Sequence, residues 1–283
     1  MTSTVIDIHV HIAPLGMVKP AVLASFGRSP DELARFQGVM REPKEFLKLL
    51  DAAGVERAGL INYVSELMGF TSAANEFSST YAHGHRDRLI PFGSLDFRRC
   101  ADPQKEIDYL INSLKIAAIK VHPSHQLLYP NEYLHGLRSL EVVYRRCEES
   151  GVPVMIHTGT SIFPGARNKY ADPIHTEDVA VDFPKLKIIL AHGGRPLWME
   201  TCFFLIRRHP NVYIDISGIP PQRLLDYFPR LEEIADKVMF GSDWPAPLVP
   251  EIGENVRRFT ALTLSEAAKT AILSGTARKV FEL

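Results

Sequence analysis

Val5-Ile6-Asp7-Ile8-His9-Val10-His11 is the stretch on which the reading of the fold turns. A short apolar run rich in Val and Ile reads as a buried strand, placed at residues 5–9. Alternate side chains of a strand share a face, so His9 and His11 point the same way from the strand's end. Taken alone, His-x-His is either half of a metal site or two polar residues on an edge strand.

Seven further apolar runs follow, at residues 57–62, 89–95, 117–121, 152–157, 187–191, 212–216 and 237–240. Helix-length amphipathic segments lie between them, for example at 44–53, 71–82, 103–114, 136–149 and 196–208. Asp102 before Pro103 is an N-cap with Pro at the first helical position, and Gly151 is a helix stop. Strand then helix, repeated, implies a parallel sheet with right-handed crossovers. Eight such units in 283 residues, about 35 each, match the scale of a (β/α)8 barrel in a single α/β domain. An open doubly wound sheet is the alternative. No Gly-x-Gly-x-x-Gly follows a strand, so a dinucleotide site is not indicated.

The first crossover is enlarged. Residues 12–42 hold three prolines and three glycines and read as an irregular loop. Two other polar, Pro-containing stretches, 122–134 and 158–173, also follow strands, so all three lie on one barrel face.

Composition narrows the function. The chain is 46% hydrophobic and 23% charged, with a formal net charge of -1. Nothing in that balance points to electrostatic binding to nucleic acid or to an anionic membrane surface. No apolar run spans a bilayer. The three cysteines, Cys100, Cys147 and Cys202, are odd in number and widely spaced, which argues against disulfides and thiolate metal sites. Met1-Thr2-Ser3-Thr4 has neither the basic nor the apolar part of a signal peptide. A cytoplasmic location is the expectation.

The polar residues closing the strands are His9, His11, Lys120, His122, His157, His192 and Asp243. A barrel gathers them on one face, where such enzymes keep their sites. Any single imidazole closing an apolar strand can be a satisfied buried histidine. Three imidazoles with a carboxylate make a competent zinc set, and the same donors suit iron, nickel or manganese.

Asp7-Ile8-His9-Val10-His11, Ile156-His157-Thr158-Gly159, Leu190-Ala191-His192-Gly193-Gly194 and Phe240-Gly241-Ser242-Asp243-Trp244-Pro245, in this order, resemble the amidohydrolase superfamily. More narrowly they resemble its amidohydrolase-related branch, which includes the aminocarboxymuconate-semialdehyde decarboxylase-like enzymes. The resemblance runs from residue 5 to the end, where Gly275-Thr276-Ala277-Arg278 resembles that branch's closing helix. It implies a distorted (β/α)8 TIM barrel with one divalent metal, zinc first and manganese second. By that analogy His9, His11, His157 and Asp243 are ligands, and His192 sits beside the metal as general acid/base or hydrogen-bond donor. Ligation by all four histidines would saturate a tetrahedral ion, so a free His192 is the economical assignment. Asp243 could also accept the proton shed by water.

Lys120 has three readings: a free ammonium pairing with a substrate carboxylate, a carboxylated bridge to a second metal, or a structural lysine. Arg195 is a second candidate carboxylate clamp, placed at the start of a helix. His122, His125 and His175 lie in loops that could border the site; His83, His85, His135 and His209 read as surface residues. Trp198 and Trp244 could wall the pocket, although core packing is the default for tryptophan. The expected partner is a small, carboxylated molecule, and a homodimer is one reading because dimers are common among barrels of this resemblance.

Two enzyme classes share these residues. One is a hydrolase cleaving a lactone, ester or amide with metal-activated water. The other is a non-oxidative decarboxylase of an unsaturated or aromatic acid. Hydrolysis is preferred on a negative ground: the strand ends show no definite carboxylate-binding arginine pattern.

Overall fold

The computed structural model describes residues 4–283, so Met1–Ser3, read above as lacking a leader, lie outside the described residues. Eight strands form one sheet in chain order, each pair parallel. They are β1 (Val5–Val10), β2 (Val55–Leu60), β3 (Leu89–Gly93), β4 (Ala118–Val121), β5 (Val154–His157), β6 (Ile188–Ala191), β7 (Val212–Asp215) and β8 (Val238–Met239). The sheet closes on itself where Ile8 N donates to Phe240 O at 3.0 Å and Asp243 N to His9 O at 2.8 Å. Each of the eight apolar runs read from sequence overlaps one of these strands; β1 runs one residue further than read, and β2 begins and ends two residues earlier. Among the described residues no helix is long and apolar enough to cross a membrane.

Side-chain alternation builds two cores. Ile119, Val154, Ile156, Ile188, Leu190, Val212 and Ile214 pack outward with helix residues such as Val143, Cys147, Leu205 and Ile206. Ala118, Met155, Ile189, Tyr213 and Met239, one residue out of phase, fill the barrel interior. This second phase positions the site, because the next residue of the same face is Lys120, His157 or Asp215.

The segment 12–42 is more ordered than its composition implies. It contains a 3-10 turn (Leu15–Met17), a short helix (Pro20–Ala24) and a twelve-residue helix (Pro30–Arg41). Ser29 and Glu32 form a reciprocal capping box with Pro30 at the first turn, a local start signal that outweighs the surrounding Gly and Pro. Phe36 of this helix packs edge-on to Trp244, and Phe46 stacks on the same indole. Trp244 is therefore a buried core residue that ties the insertion to the end of β8.

Three smaller expectations need correction. The segment 103–114 is helical over Pro103–Asp108 and then widens into a π-turn over Tyr109–Ser113. Arg195 does not begin a helix; it follows the 3-10 turn His192–Gly194, and the helix starts at Met199. His209 is buried, not a surface residue. Asp102 caps Lys105 N, and Gly151 ends its helix at φ 70°, both as read from sequence.

Candidate metal and substrate site

A cavity of about 330 Å³ opens at the C-terminal ends of the strands. His9, His11, Lys120, His157, His192, Arg195 and Asp243 all line it. The fold thus gathers every residue singled out above as a ligand, catalytic group or substrate contact. Much of the remaining wall is apolar, including Phe26, Met40, Ile61, Met68, Phe70 and Phe163. Both the volume and this composition are those of a small-molecule site.

One donor atom each from His9, His192 and Asp243 lie within 4.8 Å of one another. His192 and Asp243 have left-handed backbone, φ 67° and 69°, which non-glycine residues seldom adopt. Strain of this kind gathers at functional sites. Here it turns two side chains toward His9 just past their strand ends.

The imidazoles are held by their far nitrogens. His9 Nδ1 lies 2.5 Å from Asp215 Oδ2. His192 Nδ1 donates to Ser217 O at 3.0 Å. A carbonyl oxygen only accepts, so His192 carries its proton on Nδ1 and leaves the Nε2 lone pair free. His9 Nε2 is buried with no hydrogen-bond partner, 3.5 Å from Asp243 Oδ1. A buried imidazole with one nitrogen tethered and the other bare is the usual arrangement of a metal ligand. This donor set fits a divalent ion.

The other two sequence-read ligands stand at the edge of this group. His11 Nε2 is 3.1 Å from Asp243 Oδ1, and its side chain is 28% exposed. His157 is buried with both ring nitrogens unpartnered. Its ring stacks on His122 at 3.9 Å and meets His192 edge-on at 4.8 Å.

Charge is concentrated here. Burial pushes the Asp243 carboxyl up, but the His11 hydrogen bond and the charges of His9, His11 and Arg195 outweigh it and hold the group at about 2. Arg195 Nη2 is 3.5 Å from Asp243 Oδ2. Burial lowers the Lys120 ammonium to about 8, against the pull of Asp215 and Asp243. Lys120 Nζ has no hydrogen-bond partner. Burial also drives His9, His122, His157 and His192 well below the ordinary imidazole value.

Sequence reading missed Asp215, although it closes an apolar strand, Val212-Tyr213-Ile214-Asp215, by the rule that singled out His157. It also missed Ser217, which donates to Asp215 through both N (2.7 Å) and Oγ (3.0 Å). Gly241 leaves room for these groups: a Cβ there would come within 2.6 Å of Asp215 Oδ1 and 2.8 Å of His9 Cβ. His122 and His125 do border the site; Tyr63 and Ser161 join them.

Solved structures share this architecture. The chain is similar to the 5-carboxyvanillate decarboxylase of Novosphingobium aromaticivorans, solved with manganese and 4-hydroxy-3-methoxy-5-nitrobenzoic acid, at 17% identity, TM-score 0.73, covering 100% of this chain and 97% of that one. It is similar to the 2,6-dihydroxybenzoate decarboxylase from Rhizobium at 20% identity, TM-score 0.71, covering 99% of each chain. It is also similar to the 4-oxalomesaconate hydratase of Rhodopseudomonas palustris at 19% identity, TM-score 0.66, covering 99% of this chain and 96% of that one. At these identities the likeness is one of fold. No curated protein matches the chain. A family model described as amidohydrolase matches residues 6–283, nearly the whole length, and the chain belongs to that family of enzymes.

Proposed function

We propose that this enzyme is a metal-dependent, non-oxidative decarboxylase of an aromatic or unsaturated carboxylic acid. The observation that carries the reading is a pair of cations, Lys120 and Arg195, on the wall of the cavity that holds the donor group, with apolar surface elsewhere. The ground for preferring hydrolysis was a missing carboxylate-binding arginine, and Arg195 removes it. Two of the three similar structures above are decarboxylases of aromatic acids, which supports the same reading.

His9, His192 and Asp243 would hold the ion, with His11 and His157 adjacent. Zinc or manganese suits these donors, and manganese is the metal of one similar structure. When bound, a divalent ion polarises a substrate oxygen and stabilises charge that develops on it. Lys120 and Arg195 pair with the carboxylate and orient it. The apolar wall takes the planar body and excludes water. The carbon–carboxylate bond breaks, carbon dioxide leaves, and the electron pair stays on carbon until a proton arrives. His11 Nε2, bonded to Asp243 Oδ1 and partly open to solvent, can deliver that proton and be recharged.

Asp243 supports a second reading, since its carboxylate is ionised at neutral pH and stands beside the donor group, where it can take the proton shed by water in lactone, ester or amide hydrolysis. One experiment separates the two. Metal-loaded protein is offered a panel of aromatic and unsaturated acids alongside lactones in water labelled with oxygen-18. Carbon dioxide release with no oxygen-18 in the organic product is expected. Label in a ring-opened product, with no carbon dioxide from any acid, overturns decarboxylation.

A further inference from the structure

Three cavity residues not used above form a hydrogen-bonded row. Tyr63 Oη is 2.9 Å from His125 Nδ1, and His125 Nε2 is 2.7 Å from Ser161 Oγ. Tyr63 comes after β2, His125 after β4 and Ser161 after β5, whereas the donor group sits at the ends of β1, β6 and β8. The two are separated by imidazoles: His157 stacks on His122, His122 on His125, and His125 lies 6.4 Å from His157.

Counting protons gives the row a direction. His125 is buried, which lowers it to about 3, so the ring is neutral and has one N–H. Tyr63 is 4% exposed, and with His125 as acceptor its hydroxyl proton is satisfied. The opposite polarity would strand that phenol proton in a buried position. His125 Nε2–H then donates to Ser161 Oγ, and Phe163 N donates to the same oxygen at 3.3 Å. Ser161 Oγ thus accepts twice, and its own proton is left to donate. Ser161 is partly exposed and lines the cavity.

We infer that Ser161 Oγ is the donor of a second substrate subsite, which takes a neutral hydrogen-bond acceptor such as a carbonyl, ether or nitro oxygen, at the end of the molecule away from the donor group. This rests on the reading of the cavity as a carboxylate site and deepens it. The row offers no cation, so a second carboxylate is not the fitting group.

The test is calorimetry on metal-loaded protein with benzoate, 3-acetylbenzoate and 4-acetylbenzoate as probes. The wild-type protein is expected to bind one acetylbenzoate about fivefold tighter than benzoate, the gain of one hydrogen bond. Ser161→Ala should erase that preference while benzoate affinity and metal content stay unchanged. Tyr63→Phe, which lets His125 reverse, should erase it too. A preference absent from the wild type, or persisting in Ser161→Ala, overturns the subsite. If neither benzoate nor either acetylbenzoate binds, the carboxylate reading fails, and acetophenone against ethylbenzene then decides the subsite alone.

Discussion

Asp215 Oδ2 stands 2.5 Å from His9 Nδ1 with both side chains fully buried. Two residues later Ser217 O accepts from His192 Nδ1. A single strand end, residues 215–217, therefore sets the orientation of both imidazoles in the donor group. Ser217 braces Asp215 in turn through its amide and its hydroxyl. The two histidines come from strands on opposite sides of β7 in the barrel order, and this tripeptide is what relates them.

Asp215→Asn keeps the shape and removes the charge that orients His9. Its expected effect is a ~10- to 100-fold loss of metal affinity, the usual result of losing such a partner. Competition against a chromophoric chelator measures it. An unchanged affinity would show that Asp215 only fills space.

His192→Asn tests whether His192 is a ligand. The bare Nε2 opposite a tethered Nδ1 predicts that the purified variant loses most of its metal. His157→Ala is expected to weaken binding by at least about tenfold if one of its two unpartnered nitrogens, beside the proposed donor group, completes the set around the ion. Elemental mass spectrometry on both variants is the measurement. A His192→Asn protein that keeps its metal and loses turnover would return His192 to the role of acid/base.

What the sequence could show, and what it could not, follows from period. Lys120, His157 and Asp215 each lie two residues beyond an inward apolar residue, so simple alternation finds them; Asp215 was overlooked but was legible. His192 and Asp243 owe their aim to positive φ, which no pattern of residue types announces. The Pro30–Arg41 helix was legible from Ser29 and Glu32, but its prolines and glycines masked it. Tyr63 and Ser161 lie in loops whose paths depend on packing, and no local signal could have joined them to His125.

Lys120→Met should raise stability and lower function together. An ammonium without a hydrogen-bond partner, buried at 1% exposure, is costly, and an apolar side chain of similar length relieves that cost. The expected result is a higher midpoint of thermal unfolding with benzoate affinity reduced about tenfold or more. Wild-type benzoate affinity in the variant would remove Lys120 from substrate binding. A lower midpoint would mean that the ammonium is structural.

The buried imidazoles also fix how the metal-free protein responds to acid. His9, His122, His125, His157 and His192 have folded values below the unfolded one of about 6.5. Each therefore contributes stability that is full above pH ~6.5 and is lost as pH falls below it, because only the unfolded chain takes up the proton. Asp7 and Asp215 act in the opposite sense, since burial raises both to about 7 and lets the folded state bind their protons first. Five imidazoles set against two carboxylates favour the unfolded chain by about two protons at pH 6.0, rising toward three at lower pH, a slope of roughly 3 kcal/mol per pH unit between pH 6.0 and 5.5. Chemical denaturation of metal-free protein at pH 5.5, 6.0 and 6.5 measures that slope. It should be shallower in a His125→Phe variant, which deletes one of the five while lying outside the donor group. A stability that is flat or rising toward pH 5.5 would mean that these rings are charged in the folded state and that the cavity is wetter than its geometry indicates.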